Sequence, residues 1–130
     1  MARYDHLPIY RSAMQLAVHL ENTVRGFPRY VKYTLGSEMR QLSQKIVALV
    51  IRANNERDKL PALLELRETV ELLLVQARLC QETNGFRSFA TFSATVELAG
   101  QVARQNEGWL KASCARGAPE PPVSRAAGVR

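Results

Sequence analysis

Four stretches of this chain space their apolar residues three and four apart, and no stretch alternates apolar with polar, which restricts the fold to helices packed on one another. Short intervals rich in Pro, Gly and Asn separate the four. The first helix is expected from about Leu7 to Arg25, with Pro8 in its opening turn, where a missing N–H costs nothing. Ile9, Ala13, Leu16, Ala17, Leu20 and Val24 make its stripe. Gly26 and Pro28 stop it, and Phe27 to Tyr33 reads as a basic, aromatic-bearing connection to a second helix capped by Thr34. Advancing 100° per residue puts Leu35, Met39, Leu42, Ile46, Leu49, Val50 and Ala53 on one face of that helix. Val47 and Ile51 fall on its flank beside Arg40.

Asn54-Asn55 ends the second helix, and Asp58 with Pro61 opens a third that runs to about Thr83. Its seam is Leu63, Leu66, Val70, Leu73, Ala77 and Cys80. Asn84-Gly85 terminates it, and Ser88 caps a fourth helix along which Phe89, Phe92, Val96, Ala99, Val102 or Ala103, and Leu110 are expected to face inward. Gly100 and Gly108 are costly inside a helix, which predicts close backbone approach there. At 130 residues the chain fits one domain with one modest core. The expected architecture is an all-α, up-down four-helix bundle over residues 1–114, followed by a disordered basic tail over 115–130, where periodicity stops and Pro, Gly and Ala accumulate.

The third helix is apolar on two sides. Leu64, Leu72, Val75 and Leu79 lie away from the seam, and one bundle core cannot cover both sets. Together with Val47 and Ile51 they predict a subunit interface, against the blander reading of scattered exposed leucines.

Charge is concentrated in the basic stretch Arg25, Arg29, Lys32, Arg40, Lys45 and Arg52, where Glu38 is the single acid, so this segment holds nearly all of the net charge of +6. A pI near 9.8 suits an anionic partner, RNA or possibly DNA, whereas the alternative is a solvated helix face. Other chemistries find little to build on. The chain has two histidines, and no Glu-x-x-His pair for a di-metal site; His6 precedes the first helix, and His19 lies off its stripe as a surface side chain. Cys80 sits in a leucine-rich seam, and Cys80 and Cys114 lack a metal or disulfide spacing. The glycines form no nucleotide-cradling motif. No catalytic residue, metal or cofactor is expected. With no apolar run near the roughly 20 residues that cross a bilayer and no signal-peptide core, no membrane association is expected and the location reads as cytoplasmic.

Three segments, FPRYVKYTLGSEMR at 27–40, IRANNERDKLP at 51–61 and EGWLKAS at 107–113, resemble the accessory variability determinant of diversity-generating retroelements. LPIY at 7–10 is similar to the broader group of four-helix-bundle proteins encoded in intervening sequences of ribosomal RNA genes. The resemblance spans about residues 7–113. It implies a basic, barrel-like homopentamer that is not an enzyme, and that binds the retroelement's reverse transcriptase and RNA during error-prone copying in which adenines are miscopied. Arg25, Arg29, Lys32, Arg40, Lys45 and Arg52 become contact candidates by their charge, since the family offers no fixed motif for them. The alternative is a ribosomal-RNA-associated bundle with no polymerase partner.

Overall fold

The computed structural model describes residues 4–117. Among them are four long helices and no strand. α1 spans Pro8–Arg25. α2 is α-helical over Arg29–Val31, makes a π turn over Lys32–Gly36, and is α-helical again over Ser37–Asn55. α3 spans Leu60–Glu82 and α4 spans Phe89–Gly117. Each helix packs on its neighbours in sequence, and α1 against α4 closes the ring, giving the expected all-α, up-down four-helix bundle. Among the described residues no helix is long and apolar enough to cross a membrane.

Burial follows the apolar spacing. Every stripe residue of α1 and every seam residue of α3 is buried, whereas Leu35 and Leu42 on α2 are only half-buried. Cys80 is part of the seam, and burial raises its thiol to about 11, which keeps it protonated and unreactive. Some polar groups in the interior are answered by backbone carbonyls, although Asn106 Oδ1 has no hydrogen-bond partner among the described residues. Thr69 donates to the Glu65 carbonyl at 2.7 Å, Ser43 to the Arg40 carbonyl at 2.8 Å, and the buried Asn106 amide donates across to the Leu63 carbonyl at 3.1 Å.

α4 departs from the expected inward face. Ala99, Val102 and Leu110 are buried, but Phe89 and Val96 are exposed; Thr95 is buried in place of Val96, and Asn106 is buried between Val102 and Leu110. The buried series 95, 99, 102, 106, 110 keeps helical spacing, and it is hidden in the sequence because two members are polar. Ser88 caps α4 as expected, its hydroxyl accepting the Thr91 N–H at 3.2 Å. α4 also runs past the expected boundary near Ala115, since Ala112 and Ala115 extend a helix without needing an apolar seam. The rest of the expected tail, 118–130, lies outside the described residues.

The connection between α1 and α2 is shorter than the sequence suggests. Only Gly26 to Pro28 separate them, and Arg29 already begins α2. Pro28 precedes the helix in an extended conformation rather than ending one. Thr34 is therefore not a cap: it lies inside the π turn, and its hydroxyl donates back to the Tyr30 carbonyl at 2.8 Å. A π turn takes an extra residue per circuit, which brings Gly36 round to the buried face near Val31. There a β-carbon would stand 2.7 Å from Val24 Cγ1 and 3.1 Å from Phe27 Cδ2.

Backbone approach is close at that position and at neither glycine of α4. A β-carbon on Gly108 would meet nothing within 4 Å, and one on Gly100 would touch only the Arg104 guanidinium at 3.4 Å. Opposite effects are expected from one substitution at two sites. Gly36→Ala should destabilise by about 1–3 kcal/mol through overpacking of a stiff buried valine, while Gly108→Ala should stabilise by about 1 kcal/mol through helix propensity. Chemical denaturation of both variants checks this, and a loss of stability in Gly108→Ala would contradict an open site.

Candidate nucleic-acid and partner interface

The α1–α2 and α3–α4 turns sit at the same end of an up-down bundle, where a small core holds them together. Val24, Phe27, Val31, Met39, Ala77, Cys80 and Phe86 form that core, separate from the larger one along the bundle. Its rings meet edge to face, Phe27 to Phe86 at 5.2 Å between centroids and Phe86 to Phe92 at 5.5 Å. α3 closes with Asn84 in the left-handed region at φ 61°, which lets the Gly85 N–H donate to the Cys80 carbonyl at 2.8 Å and the Asn84 N–H to that of Gln81 at 3.1 Å. Gly85 then lies against Val31, where a β-carbon would come within 2.9 Å of Cγ1. The turn after α3 is thus locked to the first turn of α2.

Of the six candidate cations, the structure gathers three at this end. Arg25 closes α1, Arg29 opens α2, and Lys32 follows in the π turn with its ammonium 5.6 Å from the centroid of the Tyr33 ring. None of the three forms an ion pair among the described residues. Arg87, which the sequence reading passed over, joins them: its side chain lies 3.1–3.2 Å from where a Gly26 β-carbon would stand. The signal was available, because residues just after α3 return to the end that holds the α1–α2 turn.

The other three are engaged along the bundle. Arg40 Nε lies 3.1 Å from both carboxylate oxygens of Glu21 on α1, and Gln44 adds a third hydrogen bond at 3.1 Å. These contacts hold the Glu21 carboxyl below the usual range. Lys45 and Arg52 both reach Glu65 on α3 at 3.2 Å, and Arg52 also pairs with Glu56 at 3.4 Å. Hydrogen bonds from Lys45 and then Arg52 likewise lower the Glu65 carboxyl. Much of the positive charge counted along α2 is therefore neutralised by partners from other segments, which the linear sequence does not reveal.

The apolar candidates divide into two groups. Arg40, Gln44, Val47 and Ile51 recur four, three and four apart and so share a stripe that faces α1. On it Val47 and Ile51 are half-buried, and Val47 packs against the main core. Leu64, Leu72, Val75 and Leu79 are exposed on α3, at 39%, 48%, 61% and 45%. Leu64 and Leu72 line a groove with Leu42, Lys45, Glu65 and Glu68. The α3 face therefore borders Lys45 instead of Val47 and Ile51, and the six residues do not form one patch.

Two residues outside the candidate set stabilise the scaffold. Lys59 Nζ donates to the carbonyls of Ala53 at 2.9 Å, Asn54 at 3.3 Å and Glu56 at 2.9 Å, capping the C-terminus of α2, where a cation suits the dipole. This accounts for the lysine in ANNERDKLP. His19 is half-buried between α1 and α4, not a surface side chain. The Thr95 hydroxyl spends its proton on the Thr91 carbonyl at 3.0 Å, so His19 Nε2 donates to Thr95 Oγ1 at 2.8 Å. Burial lowers the His19 pKa from its ordinary 6.5, with a hydrogen bond to the Thr91 backbone opposing it. A folded pKa below the unfolded one leaves stability untouched above pH 6.5 and removes it as the pH falls from there toward the folded value, because the unfolded chain takes the proton first. Melting temperatures from about pH 7 to about pH 5 should therefore fall more steeply for the wild type than for His19→Gln. Parallel curves would contradict the assignment.

Among the described residues no group of three His, Cys, Asp or Glu side chains is placed to hold a metal ion. Neither a protein-family model nor a curated protein matches the sequence.

Proposed function

We propose that this chain is a non-catalytic accessory subunit of a diversity-generating retroelement, binding a reverse transcriptase and its RNA as a homo-oligomer during mutagenic copying. The observation that carries the reading is the gathering of Arg25, Arg29, Lys32 and Arg87 at one end of the bundle, none of them in an ion pair among the described residues. Such a cluster creates a positive field toward which a polyanion is drawn, and assembly of several copies multiplies it. The motifs behind the resemblance support the reading through their local roles: TLG forms the π turn, and DKLP carries the lysine that caps α2. The exposed α3 face supplies a surface for self-association, with five copies the number the resemblance implies.

The test is reconstitution. A reverse transcriptase encoded beside this gene, supplied with RNA from the same locus, should yield cDNA with substitutions at template adenines only when this protein is added. RNA binding without any association with a polymerase would favour the ribosomal-RNA-associated bundle, and absence of both interactions would overturn the proposal.

A further inference from the structure

Among the described residues, the strongly exposed aromatic rings all lie at one end of the bundle: Tyr30 at 84%, Tyr33 at 68% and Phe89 at 68%. The remaining rings, Tyr4, Tyr10, Phe27, Phe86, Phe92 and Trp109, are buried or half-buried. The two segments that carry the exposed rings, 22–37 and 83–90, also carry Arg25, Arg29, Lys32 and Arg87 and contain no acid. The acids that flank them are Glu21, already engaged by Arg40, with Glu38 and Glu82. Cations outside any ion pair among the described residues and exposed rings thus coincide, and the small aromatic core beneath holds both in place.

We infer that this end of the bundle binds single-stranded nucleic acid, with bases stacked on Tyr30, Tyr33 and Phe89 and phosphates met by Arg25, Arg29, Lys32 and Arg87. The inference rests on the reading of the chain as an RNA-binding subunit and adds the form of the ligand. A duplex hides the faces of its bases and presents phosphates, so cations alone would serve it; exposed rings are what unpaired bases require. The supports suit that role. Phe89 rests on Phe92 at 5.8 Å between centroids, and Phe92 on Phe86, so the outermost ring extends a packed row. Tyr33 has the Lys32 ammonium over its ring, a cation placed to meet the phosphate of a base stacked beside it. Protein interfaces also use Tyr, Phe and Arg but are depleted in Lys; Lys32 and the lack of any acid in the two segments favour a polyanion. Every base has a π face, so binding by stacking is expected to be tolerant of sequence.

Fluorescence anisotropy with three probes tests this: a short single-stranded oligouridylate, the same backbone lacking bases, and an RNA duplex of equal length. The wild type should prefer the oligouridylate to the abasic strand. Tyr30→Ala, Tyr33→Ala and Phe89→Ala should each weaken oligouridylate binding, by about five- to 150-fold for each base stack removed, with abasic binding unchanged and helicity retained by circular dichroism. Leucine at the same positions should not restore affinity, because it supplies apolar area without a π face. Should Tyr33→Ala or Phe89→Ala lose helicity, Tyr30→Ala, at the most exposed position, carries the test. Equal affinity of the wild type for all three probes, or aromatic variants that bind oligouridylate normally, overturns the stacking site while leaving the accessory-subunit reading intact. Variants that lose polymerase association but keep oligouridylate affinity would make this end a protein-docking surface and overturn the inference. A wild type that binds no probe and no polymerase overturns both.

Discussion

Leu72→Lys combined with Val75→Lys is expected to convert the protein into smaller species by light scattering while leaving its helicity unchanged. Both side chains are exposed on the outer side of α3, and the seam from Leu63 to Cys80 is buried on the other side, so the substitutions leave the bundle core alone. Burial of an aliphatic side chain is worth roughly 1.5–3 kcal/mol, so removing two from each copy weakens a subunit contact by several kcal/mol, or some orders of magnitude in association. Lysine is the better replacement because Glu68 and Glu71 stand four residues before positions 72 and 75. A glutamate followed by a lysine at that spacing supports an isolated helix by about 0.2–0.5 kcal/mol for each pair, so loss of assembly cannot be blamed on loss of α3. Val47→Lys is the matching control. It sits on the α1-facing stripe of α2, partly packed on the core, and should lower stability more than it alters assembly. A monomeric wild type would remove the interface altogether.

What the sequence reveals of this fold depends on whether the apolar period is intact. On α1 and α3 every apolar residue read as facing inward is buried, and Ser12, Ala62 and Thr69 are buried beside them. On α4 the period is interrupted by Thr95 and Asn106, which the interior accepts because Thr95 bonds its own helix and Asn106 reaches the Leu63 carbonyl. A reading that seeks apolar residues steps over them and places Val96 inside in place of Thr95. The start of α2 was obscured differently. Pro28 and the aromatic residues after it read as a loop, whereas the π turn accommodates the odd spacing and Gly36 admits Val24 and Phe27. Charge was the least legible property, since each pairing of Arg40, Lys45 and Arg52 with Glu21 or Glu65 crosses from one helix to another. Composition counts these cations as available; the fold shows where their charge is spent.

That division leads to a second large effect. Arg29→Glu, Lys32→Glu and Arg87→Glu together are expected to abolish association with the reverse transcriptase–RNA complex, whereas Lys45→Gln with Arg52→Gln should change it little. The first set lies at the bundle end with no ion-pair partner among the described residues, so reversing it turns an attractive field into a repulsive one. The second set already faces Glu65 and Glu56, and neutralising it frees two carboxylates on the flank between α2 and α3 without touching the end. The structural cost of the second change is small as well, because exposed ion pairs are typically worth about 0–1 kcal/mol. Salt dependence separates contact from folding. For single-stranded RNA each lost phosphate contact flattens the slope of log affinity against log salt by about 0.7, so neutral versions of the first set, Arg29→Gln, Lys32→Gln and Arg87→Gln, should flatten it by about two. Oligomeric state and circular dichroism should match the wild type in both sets, since Arg29 and Arg87 are exposed and Lys32 is only half-buried. If the Glu65-facing pair is the one whose loss abolishes binding, the functional surface lies along the α2–α3 groove, and the end of the bundle is only its support.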